Sequence, residues 1–397
     1  MQRKIVVLVY ASTALSWASY ALLVVILPFR FQSLGLSVVQ YGIAVAILAL
    51  GMLLTEGVWG VFAFRIGKVR TILFLGIVVA LIYVAIGVSD SFLTLAVSLG
   101  LLGALGIFQV PLVRWIALTA LGPGTGGRGT GIFGLFSGVG LVVGTALGPL
   151  VYVEFGFSAL TLVVVALYLV GLAMIVVLPW QQVTLPPRQR GFVRHMREVV
   201  TKPFVLAAAL AVFAFFGRAL VWNFLQYYSV SLFQGTPSEA GYVIGAAQGA
   251  SLVSGALLGT VVDRWGPGRS TPFGFVLVTL GIFGTLFSSS YTEMFGATMV
   301  FATGLGWLSA SILPLALGPM PARLQGTALG VFGSFEDFGL LLGPILISAI
   351  YTAYGADTIF LVVGAVELSG LLFSLVMVEA DRHRFCYLKE ALLEPSQ

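Results

Sequence analysis

Gly60-Val-Phe-Ala-Phe-Arg65-Ile-Gly67-Lys68-Val-Arg70 and Gly259-Thr-Val-Val-Asp263-Arg264-Trp-Gly266-Pro-Gly-Arg269 are two versions of one stretch. They stand 199 positions apart in a chain of 397 residues, so the repeat divides the sequence close to its middle. Each copy closes one long apolar run and precedes the next. A duplicated block of apolar helices, with a basic glycine-bounded turn at matching places, is the pattern of a transporter rather than of an enzyme.

Composition sets the solvent. The chain is 59% hydrophobic and 9% charged, whereas a soluble domain is about a quarter charged. Most of its surface must therefore face lipid. Backbone groups there have no water to satisfy them, so spanning segments are helices or a closed barrel. The apolar runs are long and do not alternate with period two, and a barrel strand needs only about ten residues. The expected class is all-α and integral to the membrane. The single cysteine, Cys386, excludes an intrachain disulfide, and two histidines, His195 and His383, offer no Cys/His metal cluster. No metal site and no cofactor are expected.

Roughly twelve runs are read as helices: 5–27, 39–63, 71–88, 92–121, 129–154, 158–180, 203–232, 239–262, 272–289, 293–319, 325–353 and 358–379. The cations fall in alternate turns. Arg3 and Lys4 precede the first run, and Arg65, Lys68 and Arg70 follow the second. Arg128 follows the fourth, and Arg188, Arg190, Arg194, Arg197 and Lys202 follow the sixth. Arg264 and Arg269 follow the eighth, Arg323 precedes the eleventh, and Arg382, Arg384 and Lys389 follow the twelfth. The other side has Arg30 alone among the cations, beside Asp90, Glu239 and Asp357. Positive charge is retained in the cytoplasm, so both termini are expected there and the protein in the plasma membrane. A cleavable signal peptide at Arg3-Lys4 is rejected, because losing the first helix would break the repeat and invert the charge pattern.

The expected units are a six-helix bundle over 1–180, a cytoplasmic linker over 181–202, a second bundle over 203–379 and a cytoplasmic tail over 380–397. Within the linker, Pro186-Pro187 breaks the chain and Phe192, Met196, Val199 and Val200 recur at helical spacing between arginines. That predicts a short amphipathic helix on the inner membrane surface rather than a nucleic-acid contact. The repeat also extends beyond the opening stretch. Arg128-Gly-Thr-Gly131 matches Arg323-Leu-Gln-Gly326, and Gly144-Thr-Ala-Leu-Gly148-Pro149 matches Gly339-Leu-Leu-Leu-Gly343-Pro344, both at offset 195.

These residues carry a resemblance to the major facilitator superfamily over essentially the whole chain. The family's loop signature is Gly-x-x-x-Asp-Arg-x-Gly-Arg-Arg/Lys. Gly259, Asp263, Arg264 and Gly266 fit it, as do Gly60, Arg65, Gly67 and Lys68, but Phe64 stands where the first copy should have Asp. The resemblance implies two pseudo-symmetric six-helix bundles around a central cavity, alternating access by rocking of the halves, and a cytoplasmic lock built from these loops. The lock is expected to be weaker in the first copy. Gly144, Gly148 and Pro149 resemble the family's antiporter Gly-Pro motif, and Gly339, Gly343 and Pro344 repeat its spacing, but Tyr152 and Val153 replace its terminal Gly-Gly. Physically, such glycines allow close helix approach and proline bends the helix.

An ionisable residue in mid-helix costs roughly 2.5–3.5 kcal/mol on insertion scales, so it faces the bundle interior or water. The cases are Glu56, Arg114, Arg218, Glu336, Asp337 and Glu367. Glu56 with Arg114 is one expected pair or gate. Arg114 lies about 10 Å from the middle of its helix, and the family's Arg-x-x-Gln-Gly motif is absent around it. Arg218 with either Glu336 or Asp337 is the other expected pair. Adjacent residues point about 100° apart, so one carboxylate is left over, and a surplus buried carboxylate is what a proton carrier needs. Glu336 and Asp337 are the proton-coupling candidates, with a purely structural role as the alternative.

The resemblance places the first, fourth, seventh and tenth helices around the cavity. Trp222, Gln226 and Ser229 follow Arg218 along one face, with Asn223 and Tyr227 beside them. Thr13, Trp17 and Tyr20 share a face of the first helix, and Trp307 and Ser311 share a face of the tenth. Trp17, Tyr20, Arg218, Trp222, Asn223, Gln226 and Trp307 are the substrate-binding candidates: an aromatic pocket with few polar anchors suits an amphipathic solute. Gly122-Pro-Gly124-Thr-Gly126-Gly127 has glycine-loop spacing, but no strand or nucleotide domain surrounds it. No nucleophile–base set is apparent, so the chain is not expected to be an enzyme. The expected function is secondary active transport of a small solute, with proton-coupled export of an amphipathic, drug-like molecule ahead of uptake or facilitated diffusion of a small organic anion. A non-transporting sensor or a membrane enzyme is the remote alternative. The expected partners are the solute, a proton and the lipid bilayer, with one chain sufficient for function.

Overall fold

A computed structural model describes the backbone of residues 2–66, 68–106, 126–178, 192–318 and 320–393, and the side chains of 6–55, 71–106, 132–178, 196–230, 233–318, 320–321, 324 and 327–377. The elements are α1 Gln2–Val24, α2 Leu27–Ser33, α3 Val38–Ile66, α4 Lys68–Gly87, α5 Phe92–Gly106, α6 Gly126–Val176, α7 Phe192–Val199, α8 Lys202–Asn223, α9 Leu225–Phe233, α10 Pro237–Trp265, α11 Pro267–Leu286, α12 Tyr291–Leu317, α13 Ala322–Tyr354 and α14 Ala356–Leu393. Among the described residues, nine helices are long and apolar enough to cross a membrane. One of them, Ile132–Val176, is two spans joined at Gly156, whose φ of 79° and ψ of 176° leave the helical region. With the shorter apolar helices Thr71–Gly87 and Phe92–Gly106 the spans number twelve. Their outward faces carry exposed apolar side chains such as Phe74, Leu81, Leu162, Leu257, Leu280 and Leu372, as a lipid solvent requires.

Several boundaries differ from expectation. The first run continues past 27 as α2, because Pro28 can occupy a helix's first turn without needing a hydrogen-bonded N–H. The seventh run breaks at Phe224, where φ is −122° and ψ is −19°. Flanking that break, the side-chain amides of Asn223 and Gln226 donate to the carbonyls of Ala219 and Trp222 at 3.1 and 2.9 Å. Such back-bonding competes with the helical ladder and favours a bend. The last helix extends to Leu393, beyond the expected end at 379. A helix forms at Phe192–Val199; it packs on α13 and buries Val199, while Met196 and Val200 remain exposed.

Within each half, hydroxyls and glycines bring the helices together. Thr55 Oγ1 donates to the Ala104 carbonyl at 2.8 Å, and Ser254 Oγ donates to the Thr303 carbonyl at 3.2 Å. Both donor and acceptor positions are related by the offset of 199, so the repeat is preserved down to a single interhelical hydrogen bond. The halves meet along α3 with α13 and α6 with α10. These seams are also paired: Gly42 of α3 lies against Pro344 and Ser348 of α13, and Gly241 of α10 lies against Pro149 and Thr145 of α6.

A Cβ added at Gly304 would stand 2.6 Å from the Val278 backbone nitrogen, whereas one at Gly296 meets nothing within 4 Å. Gly304→Leu should therefore destabilise the protein by ~1–3 kcal/mol through overpacking. Gly296→Ala, in the same helix, should stabilise it by ~0.5–1 kcal/mol by removing helical glycine. Thermal unfolding in detergent should show apparent Tm shifts of opposite sign.

Candidate functional site

The break between α8 and α9 presents polar and aromatic side chains to the space between the halves. A cavity of about 20 Å³ lies there, lined by Tyr20, Val24 and Thr145 from the first half and by Trp222, Gln226 and Gln248 from the second. A water needs at least roughly 10–15 Å³ of such space, so the cavity holds about one water and must widen to admit a solute. Gln226 is fully buried; its amide nitrogen donates to Trp222, while its Oε1 has no partner among the described residues. An unpartnered buried acceptor at a cavity wall is a ready anchor for a solute's N–H or O–H.

Arg218 lies one turn from Trp222. Its guanidinium is 4.6 Å from the Phe215 ring centroid and 4.9 Å from that of Trp222, and Nη2 donates to Ser309 Oγ at 3.3 Å. Glu336 is near enough to act on Arg218 electrostatically, and Asp337, only 8% exposed, acts in the same way on Tyr20 of the opposite half. The adjacent carboxyls therefore face different neighbours, as their 100° separation requires. Trp17 and Tyr20 form an edge-to-face pair with centroids 5.8 Å apart.

Of the seven substrate candidates, Tyr20, Trp222 and Gln226 line the cavity, whereas Trp17, Arg218, Asn223 and Trp307 do not. Trp307 packs against Phe273 and Trp265, with centroids 6.1 and 6.5 Å away. Ser309, which meets Arg218, is turned about 200° from Trp307 on the same helix, so the expectation that Trp307 faces the cavity is corrected. Asn223, 5% exposed, belongs instead to an aromatic seal at the end of the bundle remote from the termini. There Tyr41, fully buried, contacts Phe31, Phe224 and Tyr227 edge-on at 5.4–5.8 Å. The Tyr41 hydroxyl donates to Asn223 Oδ1 at 3.5 Å, and the Tyr227 hydroxyl donates to the Pro28 carbonyl at 2.9 Å. Nothing in the composition of the second run singled out Tyr41; Asn223, Phe224 and Tyr227, three of its four partners named here, come from the other half.

The proline–glycine candidates lie on helix contacts. Gly144 and Gly148 approach Ala18 and Leu22 of α1, and Gly339 and Gly343 approach Val212 and Ala219 of α8. Pro149 and Pro344 meet glycines across the seams between halves. In the second loop copy, Asp263 and Arg264 are exposed, and Gly266 takes φ 84°, a conformation that favours glycine between α10 and α11. Gly259 has open space beside it. The contacts of Glu56, Gly60, Arg65, Gly67, Lys68 and Arg114 lie outside the described residues. Among the described residues no cluster suited to a metal ion occurs.

A family model described as Major Facilitator Superfamily matches residues 9–338 and, in an overlapping second match, 207–386. The chain is 24% identical over 383 residues to the Multidrug resistance protein MdtG of Escherichia coli, covering 91% of each. It superposes with a TM-score of 0.81 and 14% identity on a bacterial homologue of the human lysosomal transporter Spinster, in an inward-facing and unoccupied conformation, covering 95% of this chain and 97% of that one. The nucleoside transporter NupG gives a TM-score of 0.75 at 13% identity, with coverage of 95% and 98%. These structural likenesses establish the fold.

Removing the Tyr227 hydroxyl withdraws one hydrogen bond across the seal, a net contribution of ~1 kcal/mol. In Tyr227→Phe, the population open at that end should rise roughly fivefold. Spin labels at Gln32 and Tyr354, on opposite halves at that end, should report a larger long-distance fraction. An unchanged distance distribution would remove Tyr227 from the gate.

Proposed function

The chain belongs to the Major Facilitator Superfamily, and on that premise we propose that it exports an amphipathic, drug-like molecule in exchange for protons. It is a multi-pass membrane transporter; direction, cargo and driving ion are the proposal. The observation that carries it is the cavity between the halves, where Tyr20 and Trp222 offer apolar faces and Gln226 an unpartnered acceptor. Such a lining suits solutes with a large apolar body and few polar groups. The 24% identical relatives bear the name Multidrug resistance protein, which agrees with that cargo class.

In this reading the termini are cytoplasmic, the membrane is the plasma membrane and one chain completes the pathway. The bundles are 1–180 and 203–379, joined by the cytoplasmic linker 181–202, and 380–397 is a cytoplasmic tail. The aromatic seal then closes the outer end while the cavity awaits cargo from inside. Glu336 and Asp337 carry the coupling proton, one beside Arg218 and the other toward Tyr20 of the opposing half. The loop residues around Gly259–Gly266 and their counterparts around Gly60–Lys68 form the inner lock, and Glu56 with Arg114 a further pair or gate. Arg218 favours a second reading, an organic-anion carrier, because its guanidinium flanks Trp222 and retains donors beyond the one given to Ser309.

Proteoliposome flux separates these readings. Wild type should drive a lipophilic cationic dye against its gradient when a pH gradient is imposed, and a small aromatic carboxylate should not be moved. The opposite preference would support the anion carrier. Glu336→Gln or Asp337→Asn should abolish pH-driven accumulation; if both variants keep wild-type flux, the carboxyl assignment is wrong. Trp222→Ala should raise the half-saturating dye concentration roughly tenfold, the equivalent of a stacking contact of ~1.4 kcal/mol.

A further inference from the structure

Glu367, on α14, stands outside the cavity. It is fully buried, and neither carboxyl oxygen has a hydrogen-bond partner among the described residues. It lies on a Gly364-x-x-Glu367-x-x-Gly370 stripe, so the three positions share a helix face. Gly364 packs against the Phe283 ring of α11, and Gly370 against Phe275 of α11 and Phe213 of α8. Glu367 itself rests on Gly217 of α8, where an added Cβ would stand 2.9 Å from its Cδ. The Gly217 amide lies beside the carboxyl without the geometry of a hydrogen bond.

The register identifies one further neighbour. Phe275, Thr279 and Phe283 fall on one face of α11 at steps of four. With Phe275 at Gly370 and Phe283 at Gly364, Thr279 falls at the level of Glu367. Thr279 Oγ1 is also buried without a hydrogen-bond partner among the described residues. Two uncommitted polar groups thus lie at one level of an otherwise aromatic and aliphatic helix junction.

The ionisable groups of the surrounding elements are turned away or distant. On α8, Arg218 is committed to Ser309 and to the faces of Phe215 and Trp222, and Lys202 is about 22 Å along the helix from Gly217. On α11, Arg269 is about 15 Å from Thr279, and on α14 itself Asp357 is about 15 Å from Glu367. On α13, Glu336 is directed at Arg218 and Asp337 at Tyr20, and Tyr351 lies toward Tyr227. Tyr228 of α9 meets Phe360 edge-to-face, two turns from Glu367. Among the described residues no cation is placed to balance an ionised carboxylate here, and an unpaired buried charge is costly. A neutral acid fits the site and has one O–H to offer, with the Thr279 hydroxyl level with it as an acceptor.

We propose that Glu367 is a proton-binding site behind the cavity wall, occupied in this conformation, and that it exchanges its proton when α8 moves relative to α14. Gly217 and Arg218 are consecutive, so one helix carries the back contact to Glu367 and the cavity contact to Trp222. Displacing α8 opens the Gly217 contact, admits water, and lets the proton pass to it, leaving the carboxylate hydrated. This extends the proton-linked reading above but has an observable of its own.

Infrared difference spectroscopy on the purified full-length protein at neutral pH tests it. Wild type minus Glu367→Gln should show a carboxylic-acid carbonyl band, and Thr279→Val should shift that band. A difference spectrum without such a band overturns the proposal. Thermal unfolding should confirm that both variants fold; if Glu367→Gln does not, the Thr279→Val shift alone decides. In proteoliposomes, Glu367→Gln should lose pH-driven flux at least tenfold while counterflow of solute stays within about twofold. Unchanged pH-driven flux would overturn the role in exchange. Wild type without pH-driven flux, but with the band, would overturn the proton-linked transport reading and leave the Glu367 site standing.

Discussion

A helix surrounded by lipid gains little by burying its apolar side chains against another helix, because lipid tails are as apolar as leucine. Association must come from close backbone approach and from hydrogen bonds. The seams and bundle contacts of this protein follow from that constraint. Gly42 and Gly241 occur where the halves meet, and Gly144, Gly148, Gly339 and Gly343 where inner helices cross. Thr55 and Ser254 each send a hydroxyl to a neighbouring helix's carbonyl. Leucine and valine serve both surroundings: Leu23, Leu95, Val164 and Val278 are buried between helices, while Leu81, Leu162, Leu257 and Leu372 face outward.

The same solvent governs the charges. Arg30, at the end remote from the termini, is tied to Asp90 at 2.7 Å and to the Ser89 carbonyl at 2.9 Å, and lies over the Phe157 ring. Arg218 is held by two aromatic faces and a hydroxyl. Each cation is accommodated by polarisable rings as well as oxygen, which lowers the cost of removing it from water. The carboxyls of α13 divide between the halves, Glu336 toward Arg218 of its own half and Asp337 toward Tyr20 of the other, so a change at Asp337 bears on the surface along which the halves separate.

Much of the architecture was legible because hydropathy and repeat are global signals. The twelve spans, the two-fold division and the helix at Phe192–Val199 needed only run length, charge placement and periodicity. The joints were less legible. The break at Phe224 is flanked by Asn223 and Gln226 bonding back to their own helix, a side-chain detail that run length does not register, and Pro28 starts α2 at a turn that hydropathy windows smooth over. The site was legible only in part. Arg218, Trp222 and Gln226 share a face by arithmetic, so the sequence could group them. Trp307 could not be placed, because its orientation depends on how α12 is rotated against α11. Tyr41 and Thr145 acquire their place from partners in the other half, and tertiary pairing of that kind leaves no local trace in the chain.

Gly156 and Gly355 are separated by the same offset of 199 that relates the two loop copies. Both adopt left-handed φ, 79° and 84°, and both join the fifth span of a half to the sixth without an intervening loop. A one-residue joint has little slack. The fifth span of each half lines a seam, so this joint ties the sixth span directly to a seam-lining helix. For the second half, that mechanical link places Glu367 one rigid lever away from the surface where the two halves part.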